Sequence, residues 1–506
     1  MDLWLVGLKG MFEPANLFAL VAGSIIGIVS GILPGIGATV MMSLMLPFTF
    51  SMSPAAGLIL LLSIWATDVY GGSITSILVN VPGGAANVAT CFDGHPMARQ
   101  GKAGVAIGIA TMASLIGGLF GIIVLIFASP PIAKFSLKFG PAEYFMLAIT
   151  GLSIIATTSK GKALKGLIAA GFGLMVSFMG YDLVTGFVRF DFGLRYLTDG
   201  IPFICALTGI FAIGEALVSA EEGGQVAELG KVEGGVFDGF RLVFKYPATL
   251  IRSMLIGTLF GTAPGVGISA ANMVAYSETV RVSKHPESFG TGNPEGVLAP
   301  EAANNAVQGG ALIPTLTLGI PGSSSAAVLL AALIMYGLRP GRELFTGNPD
   351  LVYKIFVALI FAQILFAVIG TFLANPFAKL TIVPSAIVVP TIILSCFMGS
   401  FALRGQIEDV LVTAVFGGIG YMMKKAGYPT VPFVLALILG PIAEKNFFRA
   451  LLISQGNYSI FLSSGISIGL AAFIIFALTY PFLEPFKEKL KLRAKATFEK
   501  RKRVQE

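Results

Sequence analysis

Residues 31–37 read GILPGIG and residues 261–267 read GTAPGVG, so the chain carries the same uncharged glycine-proline element twice. Proline removes a backbone donor and clashes with the preceding helical turn, while glycine leaves the freed carbonyl groups uncovered. Within lipid, an unwound backbone is tolerated where it is buried in protein or lines a water-filled cavity. Secondary transporters build their central binding sites from helices broken in this way.

Composition places this chain of 506 residues among integral membrane proteins. Hydrophobic residues make up 55% and charged residues 12%, with 62 glycines and a mean hydropathy of +0.84. Residues 14–67, 103–133, 302–338 and 450–483 carry no charge. Each of these runs exceeds the ~20 residues that a spanning helix needs. We therefore predict an all-α polytopic membrane protein with about 10–14 membrane segments.

Further matches indicate that the element belongs to an internal repeat. Residues 80–84 read NVPGG and residues 319–323 read GIPGS, and a Gly-Tyr pair at 180–181 returns at 427–428. We predict a first transmembrane repeat at 1–218, a cytoplasmic linker at 219–246, a second repeat at 247–483 and a basic cytoplasmic tail at 484–506. Lysines cluster in non-equivalent loops of the two repeats, which predicts inverted topology with broken helices and re-entrant hairpins.

The net charge of +7 does not indicate nucleic-acid binding, because nine basic and three acidic residues lie from Lys487 onward. We interpret this tail as an anchor at the lipid surface. The chain has no Gly-x-x-x-x-Gly-Lys-Ser/Thr loop for phosphates. Its cysteines lack metal-ligand spacing; they are Cys91, Cys205 and Cys396. We predict no cofactor, no nucleic-acid partner and no metal beyond a possible Na+ site.

The two breaks expose groups that suit an anion and a cation. A helix that restarts after a break directs free N–H groups toward a ligand, so two such ends predict a carboxylate site without arginine. Carbonyl, hydroxyl and amide oxygens suit an alkali cation, which makes sodium one candidate coupling ion. A proton is the other, because acidic residues border the uncharged runs. The candidate substrate- or ion-binding residues are Pro34, Gly35, Gly37, Thr39, Asn80, Pro82, Gly83, Gly84, Asn87, Pro264, Gly265, Gly267, Ser269, Asn272, Pro321, Gly322, Ser323, Ser324 and Ser325. The candidate gating or coupling residues are Asp68, Glu278, Glu301, Asn304 and Asn305.

Other interpretations remain open for these features. A single proline break is commonly a packing kink, although two matched pairs of breaks favour a binding site. The polar stretch at 278–305 reads equally well as a gating loop that meets a partner or as a solvated connection. A passive organic-anion channel is an alternative function, against which the broken-helix repeat argues. A membrane-embedded enzyme needs clustered titratable or metal-binding groups, so we predict no enzymatic activity.

Three motifs of the second repeat resemble one transporter family. They are GTAPGVG at 261–267, NPEGVLAPEAANNA at 293–306 and LGIPGSS at 318–324, and residues 31–37 and 70–84 resemble their first-repeat counterparts. Over essentially its whole length the chain resembles the large membrane subunit of the tripartite tricarboxylate transporters. The resemblance implies symport of carboxylates such as citrate across the bacterial inner membrane, driven by an ion gradient and without ATP. It also implies two partners, a periplasmic solute-binding protein and a small membrane subunit, and a transport site at the paired breaks.

Overall fold

The computed structural model describes residues 2–33, 36–157, 163–182, 186–222, 235–263, 267–378 and 385–479. Up to residue 222 the helices are α1 (Leu3–Met11), α2 (Pro14–Ile32), α3 (Ala38–Thr49), α4 (Pro54–Val79), α5 (Val88–Met97), α6 (Ala103–Phe135), α7 (Pro141–Thr157), α8 (Ala163–Ser177), α9 (Phe203–Thr208) and α10 (Gly214–Glu222). The strands β1 (Gly180–Tyr181) and β2 (Val188–Arg189) form a short antiparallel ladder. From residue 235 onward the helices are α11 (Val236–Val243), α12 (Pro247–Thr262), α13 (Gly267–Val282), α14 (Pro294–Leu318), α15 (Ser324–Met335), α16 (Arg342–Gly347), α17 (Pro349–Ala378), α18 (Ser385–Arg404), α19 (Ile407–Lys425), α20 (Thr430–Ile453) and α21 (Gly465–Thr479).

Within the described ranges, seven helices are long and apolar enough to cross a membrane. These spans are Pro14–Ile32, Pro54–Val79, Val88–Phe135, Phe203–Glu221, Pro349–Leu373, Ala386–Arg404 and Thr430–Ile453. Four shorter apolar helices accompany them, namely α3, α8, α15 and α21. The predicted class, an all-α polytopic membrane protein, is confirmed. The number of segments and the inverted topology stay predictions.

The chain divides into two compact units that do not follow chain order. Unit 1 comprises Met1–Lys138 and Ile201–Ala426, and unit 2 comprises Phe139–Gly200 and Gly427–Glu506. Each unit takes residues from both predicted repeats, whose boundaries stay predictions. The helix α11 lies in the predicted linker and packs against α6. Residues 223–234 of that linker, and the tail at 484–506, lie outside the described residues.

Glycine builds the central helix pairs of unit 1. Gly23, Gly27 and Gly31 lie one turn apart on α2, and a Cβ atom at any of them would overlap backbone oxygen atoms of α4. Gly257 and Gly261 on α12 meet the backbone of α14 in the same way. Residues without side chains let helices approach closely, which is how membrane helices gain packing energy without a hydrophobic driving force. As a result α4 and α14 are buried on nearly every face.

Unit 2 uses the same packing together with one strong ion pair. A Cβ atom at Gly173 on α8 would overlap the backbone oxygen of Phe433 on α20. Arg189 on β2 donates two hydrogen bonds to the carboxylate of Glu444 on α20, at 2.6 and 3.1 Å. Paired, charge-assisted bonds of this kind fix geometry as well as adding energy. They fasten the strand ladder to α20.

Candidate functional site

Two segments of unit 1 repeat the same order of elements around the paired motifs. We call α2 to α5 the first half and α12 to α15 the second half. In each half a helix ends, a second helix begins after the Pro-Gly motif, and a long buried helix follows. A turn then leads into a further helix; we call residues 80–83 the first hairpin tip and residues 319–322 the second. Four candidate residues between α2 and α3 and between α12 and α13 lie outside the described residues: Pro34, Gly35, Pro264 and Gly265. We call these two positions the first and the second break.

The two hairpin tips begin with the same backbone conformation. The residue that caps the end of α4 is Asn80, with a φ of 55°, and the residue that caps the end of α14 is Gly319, with a φ of 71°. This left-handed conformation ends a helix and suits glycine or asparagine. Asn80 is exposed. Pro82 and Pro321 follow the two caps, where a helix cannot continue.

Each hairpin tip rests on the helix that precedes the break in its own half. A Cβ atom at Gly83 would overlap the backbone oxygen of Gly31, and one at Gly322 would lie 2.5 Å from the backbone oxygen of Gly261. In both cases the added Cβ atom would lie closer to the oxygen than real Cβ atoms lie to any neighbour. The tips therefore touch the helices through backbone alone, at equivalent positions of the two halves.

Three other candidate glycines border open space. Gly37 precedes α3, Gly84 follows the first hairpin tip and Gly267 begins α13, and all three are half-buried. Apart from atoms of neighbouring residues in the chain, no heavy atom of the described residues lies within 4 Å of a Cβ atom placed on any of them. Gly267 has a φ of 78°, a conformation that other residues rarely adopt. These positions leave room for a ligand to approach the backbone.

The helix that follows each break contacts the hairpin tip of the other half. The hydroxyl oxygens of Thr39 on α3 and Ser325 on α15 lie 2.9 Å apart. Conversely, the side-chain amide of Asn272 on α13 donates to the carbonyl oxygen of Ala86, which lies beside the first hairpin tip. The amide of Asn304 donates to the same oxygen at 3.4 Å. The structure thus brings together candidate residues that are widely separated in the sequence.

The Thr39–Ser325 contact makes a testable prediction about coupling between the halves. Thr39→Val keeps the side-chain shape but removes the hydroxyl, and Ser325→Ala removes its partner. We expect each change to lower stability by about 1 kcal/mol, and the double variant to lose no more than the larger single loss. Thermal unfolding of the purified proteins in detergent measures this. Strictly additive losses would show that the two hydroxyls do not act as a pair.

The remaining serines have local roles or partial exposure. The hydroxyl of Ser323 accepts a hydrogen bond from the backbone amide of Ala326 at 3.2 Å and so caps α15. Ser324 and Ser269 lie half-buried in the first turns of α15 and α13. First-turn positions are close to the free N–H groups of their helices. They can therefore contact whatever those N–H groups bind.

Glu301 on α14 lies in a fully buried group of hydroxyls. Its Oε1 accepts hydrogen bonds from Ser73 at 2.7 Å and Thr90 at 2.5 Å, and its Oε2 accepts one from Ser114 at 2.8 Å. The three donors come from α4, α5 and α6. Hydrogen bonds to an ionised carboxylate are stronger than those between neutral groups. Hydroxyls can therefore hold this buried acid without a basic partner.

A chain of amides adjoins Glu301. Asn87 donates to the backbone oxygen of Val69 at 2.8 Å and to the hydroxyl of Ser73 at 2.9 Å. Asn305 donates to Oδ1 of Asn304 at 2.9 Å. Within the part of the chain that the structure describes, Oδ1 of Asn272 and Oδ1 of Asn305 are buried and accept no hydrogen bond. Such oxygens are costly to bury without a donor, so they favour a ligand that carries protons or positive charge.

Of the two other candidate acids, one lies beside the first break and one does not join the cluster. Asp68 on α4 is buried and accepts a 2.5 Å hydrogen bond from Ser30, in the last turn of α2. Glu278 forms a partly exposed ion pair with Arg281 at 2.7 Å, one turn along α13. An exposed pair of this kind is an ordinary surface feature.

Asp93 is a buried acid that sequence reasoning missed. Its Oδ1 accepts hydrogen bonds from the backbone amides of Gly290, Gly292 and Asn293 at 2.8–2.9 Å. Its Oδ2 accepts one from the hydroxyl of Tyr276 at 2.9 Å. We call residues 290–293 the clamped loop. Asp93 therefore fastens α5 of the first half to α13 and to the loop that leads into α14.

The hydroxyl partners of Asp68 and Glu301 were missed as well. They are Ser30, Ser73, Thr90 and Ser114. Serine and threonine in membrane helices usually bond the carbonyl one turn earlier, so their presence predicts no site. A small-residue face beside an acid is the one sequence signal that could have pointed to Ser73. The others come from helices whose packing the spacing does not reveal.

Comparison with known proteins identifies the family. The sequence profile of the Tripartite tricarboxylate transporter TctA family matches residues 17–435. An uncharacterized 52.8 kDa protein in the TAR-I ttuC' 3'region of Agrobacterium vitis is 34% identical over 468 residues, which cover 92% of this chain and 93% of that protein. An uncharacterized protein in the TAR-II ttuC' 3'region of the same organism is 33% identical over 214 residues, or 42% of this chain and 88% of that protein. No solved structure matches the chain. The chain therefore belongs to the tripartite tricarboxylate transporter TctA family and is a membrane transport component.

Proposed function

We propose that this chain is the substrate-translocating subunit of a secondary active transporter that imports carboxylates with the help of a binding protein. The observation that carries the proposal is the crosswise contact between halves, where Thr39 meets Ser325 and Asn272 meets Ala86. Interrupted helices that are paired in this way suit alternating access around one site. The inverted repeat belongs to the same proposal, and the equivalent packing of Gly83 and Gly322 supports it.

The substrate is a tricarboxylate such as citrate or a related organic acid. The first turns of α3 and α13 direct backbone donors toward the space beside Gly37 and Gly267, where a carboxylate can bind without a basic side chain. The coupling ion is Na+ or a proton. Oxygen donors from hydroxyls and amides favour the former, and the buried acids Asp68 and Glu301 favour the latter.

Two partners complete the proposed system. A periplasmic solute-binding protein delivers the carboxylate, and a small membrane subunit accompanies this chain in the bacterial inner membrane. The tripartite description of the family supports both partners. No ATP and no cofactor takes part, and the carboxylate crosses the membrane unchanged.

Uptake into vesicles tests the proposal. The vesicles hold this chain, its small membrane partner and the cognate binding protein, and they receive radiolabelled citrate and a panel of dicarboxylates, aromatic acids and amino acids. We expect uphill accumulation of unchanged substrate only when an inward gradient of Na+ or protons and the binding protein are both present. Vesicles without the binding protein, and vesicles with equal ion concentrations on both sides, are the controls.

The other outcomes are equally informative. Equilibration that ignores the gradient would identify a passive channel. Accumulation without the binding protein would remove the tripartite part of the proposal. Conversion of the substrate would indicate an enzyme, and no flux with any acid of the panel would contradict carboxylate transport.

A further inference from the structure

Four acids of unit 1 are buried within the described ranges, and among their described contacts Asp68 alone has neither a basic partner nor three hydrogen bonds. Asp409 pairs with Arg404. Asp93 accepts four hydrogen bonds and Glu301 accepts three. Asp68 accepts one from a described side chain, although it is only 7% exposed. Removing a carboxylate from water costs several kcal/mol unless partners replace that water, so Asp68 has the strongest need for positive charge.

Asp68 lies where the first break begins. Its partner Ser30 and the adjacent Gly31 belong to the last turn of α2, and the backbone amide of Ala38, the first residue of α3, also interacts with its carboxylate. The last carbonyl groups of a helix have no partners inside that helix and carry a partial negative charge. The Asp68 carboxylate, the Ser30 hydroxyl and the carbonyl oxygens at the end of α2 together favour a cation next to Asp68.

The second half lacks these groups at the equivalent place. A Cβ atom at Gly31 would overlap the backbone oxygen of Asp68, and one at Gly261 would overlap that of Val307, so Asp68 and Val307 occupy matching positions. The residue before Gly261 is Phe260, where the first half has Ser30. The ends of α2 and α12 therefore pack against their neighbouring helices alike but differ in charge. Of these two described helix ends, only that of α2 has an acid and a hydroxyl that suit a cation.

We propose that Asp68 and Ser30 bind the coupling cation, a sodium ion or a proton, beside the last turn of α2. The inference rests on the proposed transport function and assigns ion coupling to one half of the site. No ion pair competes for Asp68 among the described residues. Neither α2 nor α3 carries a titratable residue. Tyr70, on α4 itself, contacts Thr111. On elements beside α4, Glu301 faces its three hydroxyls and Asp93 holds the clamped loop. His95 contacts the carbonyl of Ile77, and Lys354 pairs with Glu13.

Thermal unfolding of the purified complex tests the inference without relying on transport. One arm compares sodium chloride with choline chloride at constant pH, and the other compares pH 6 with pH 8 at constant choline chloride. The wild-type Tm should rise with sodium if the cation is Na+, or at the lower pH if it is a proton. Asp68→Asn should lose that response, Asp68→Glu should retain part of it, and Val307→Thr, the matched change in the second half, should leave it intact.

A second readout uses the carboxylate that the wild type transports. Coupling energies between two ligands commonly alter affinity by ~5–150-fold, so we expect the cation to improve the apparent affinity of wild type about tenfold and that of Asp68→Asn less than about twofold. A Tm response of Asp68→Asn equal to that of wild type would overturn the inference, as would a wild type that responds to neither ion. Failure of all carboxylate uptake would instead contradict the proposed function, while loss of the Tm response in Asp68→Asn would still support the cation site.

Discussion

Gly83→Ala is expected to abolish carboxylate uptake and to lower the Tm of the protein. The added methyl group would overlap the backbone oxygen of Gly31 and approach Cα of Gly72, and neither atom belongs to a side chain that can rotate away. Inserting atoms into a tightly packed site typically costs ~1–3 kcal/mol, because the backbone must shift. Here the shift would displace the first hairpin tip, and with it Asn87 and Ala86. Uptake in vesicles and thermal unfolding in detergent measure the two effects.

The neighbouring residue provides a matched control. Gly84 has an extended backbone with a φ of −157°, and no heavy atom of the described residues lies within 4 Å of a Cβ atom placed there. Gly84→Ala should therefore preserve the fold and leave Tm near that of wild type. Gly322→Ala should resemble Gly83→Ala, because it meets Gly261 in the second half in the same way. Wild-type uptake by Gly83→Ala would contradict the close backbone contact.

Asp93→Ala is expected to destabilise unit 1 and to release the clamped loop. Three backbone amides and the hydroxyl of Tyr276 would lose their acceptor, and each buried donor left unpaired costs roughly 1–3 kcal/mol. Because these amides are only partly buried, we expect a total loss of at least ~3 kcal/mol rather than the full sum. Asp93→Asn keeps one acceptor oxygen and should lie between wild type and Asp93→Ala.

Two measurements check this expectation. Thermal unfolding gives the loss of stability, and limited trypsin digestion reports on the loop, since Arg281 and Lys284 lie just before it. Faster cleavage at these residues should accompany Asp93→Ala. Glu287→Ala alters an exposed acid in the same region and should leave both measurements unchanged. Equal digestion rates for Asp93→Ala and wild type would show that other contacts hold the loop.

The sequence predicted the class of the fold and the positions where helices end. Uncharged runs longer than a bilayer predict spanning helices, and proline with glycine predicts interruption, so both follow from local chemistry. The sequence also predicted that Thr39, Asn272 and Ser325 belong to the same region. Their partners follow from the crosswise packing of the two halves, which no spacing reveals.

The acids show most clearly where sequence reasoning ends. Glu301 and Asp68 were candidates because they border uncharged runs, and both are buried. Glu278 was a candidate for the same reason, yet it pairs with Arg281. Asp93 was missed because its backbone partners lie about 200 residues further along the chain. Burial and partners depend on tertiary packing, which proximity to an apolar run does not specify.

The glycine contacts between α2 and α4 bear on how motion in this protein can be recorded. The backbones of the two helices are in direct contact at Gly23, Gly27 and Gly31. No side chain there can change rotamer to let α2 slide along α4. A spectroscopic label on the exposed face of α2, for example at Phe18, should therefore keep a constant distance to α4 throughout the transport cycle. That pair of helices can serve as a fixed reference from which the displacement of other helices is measured.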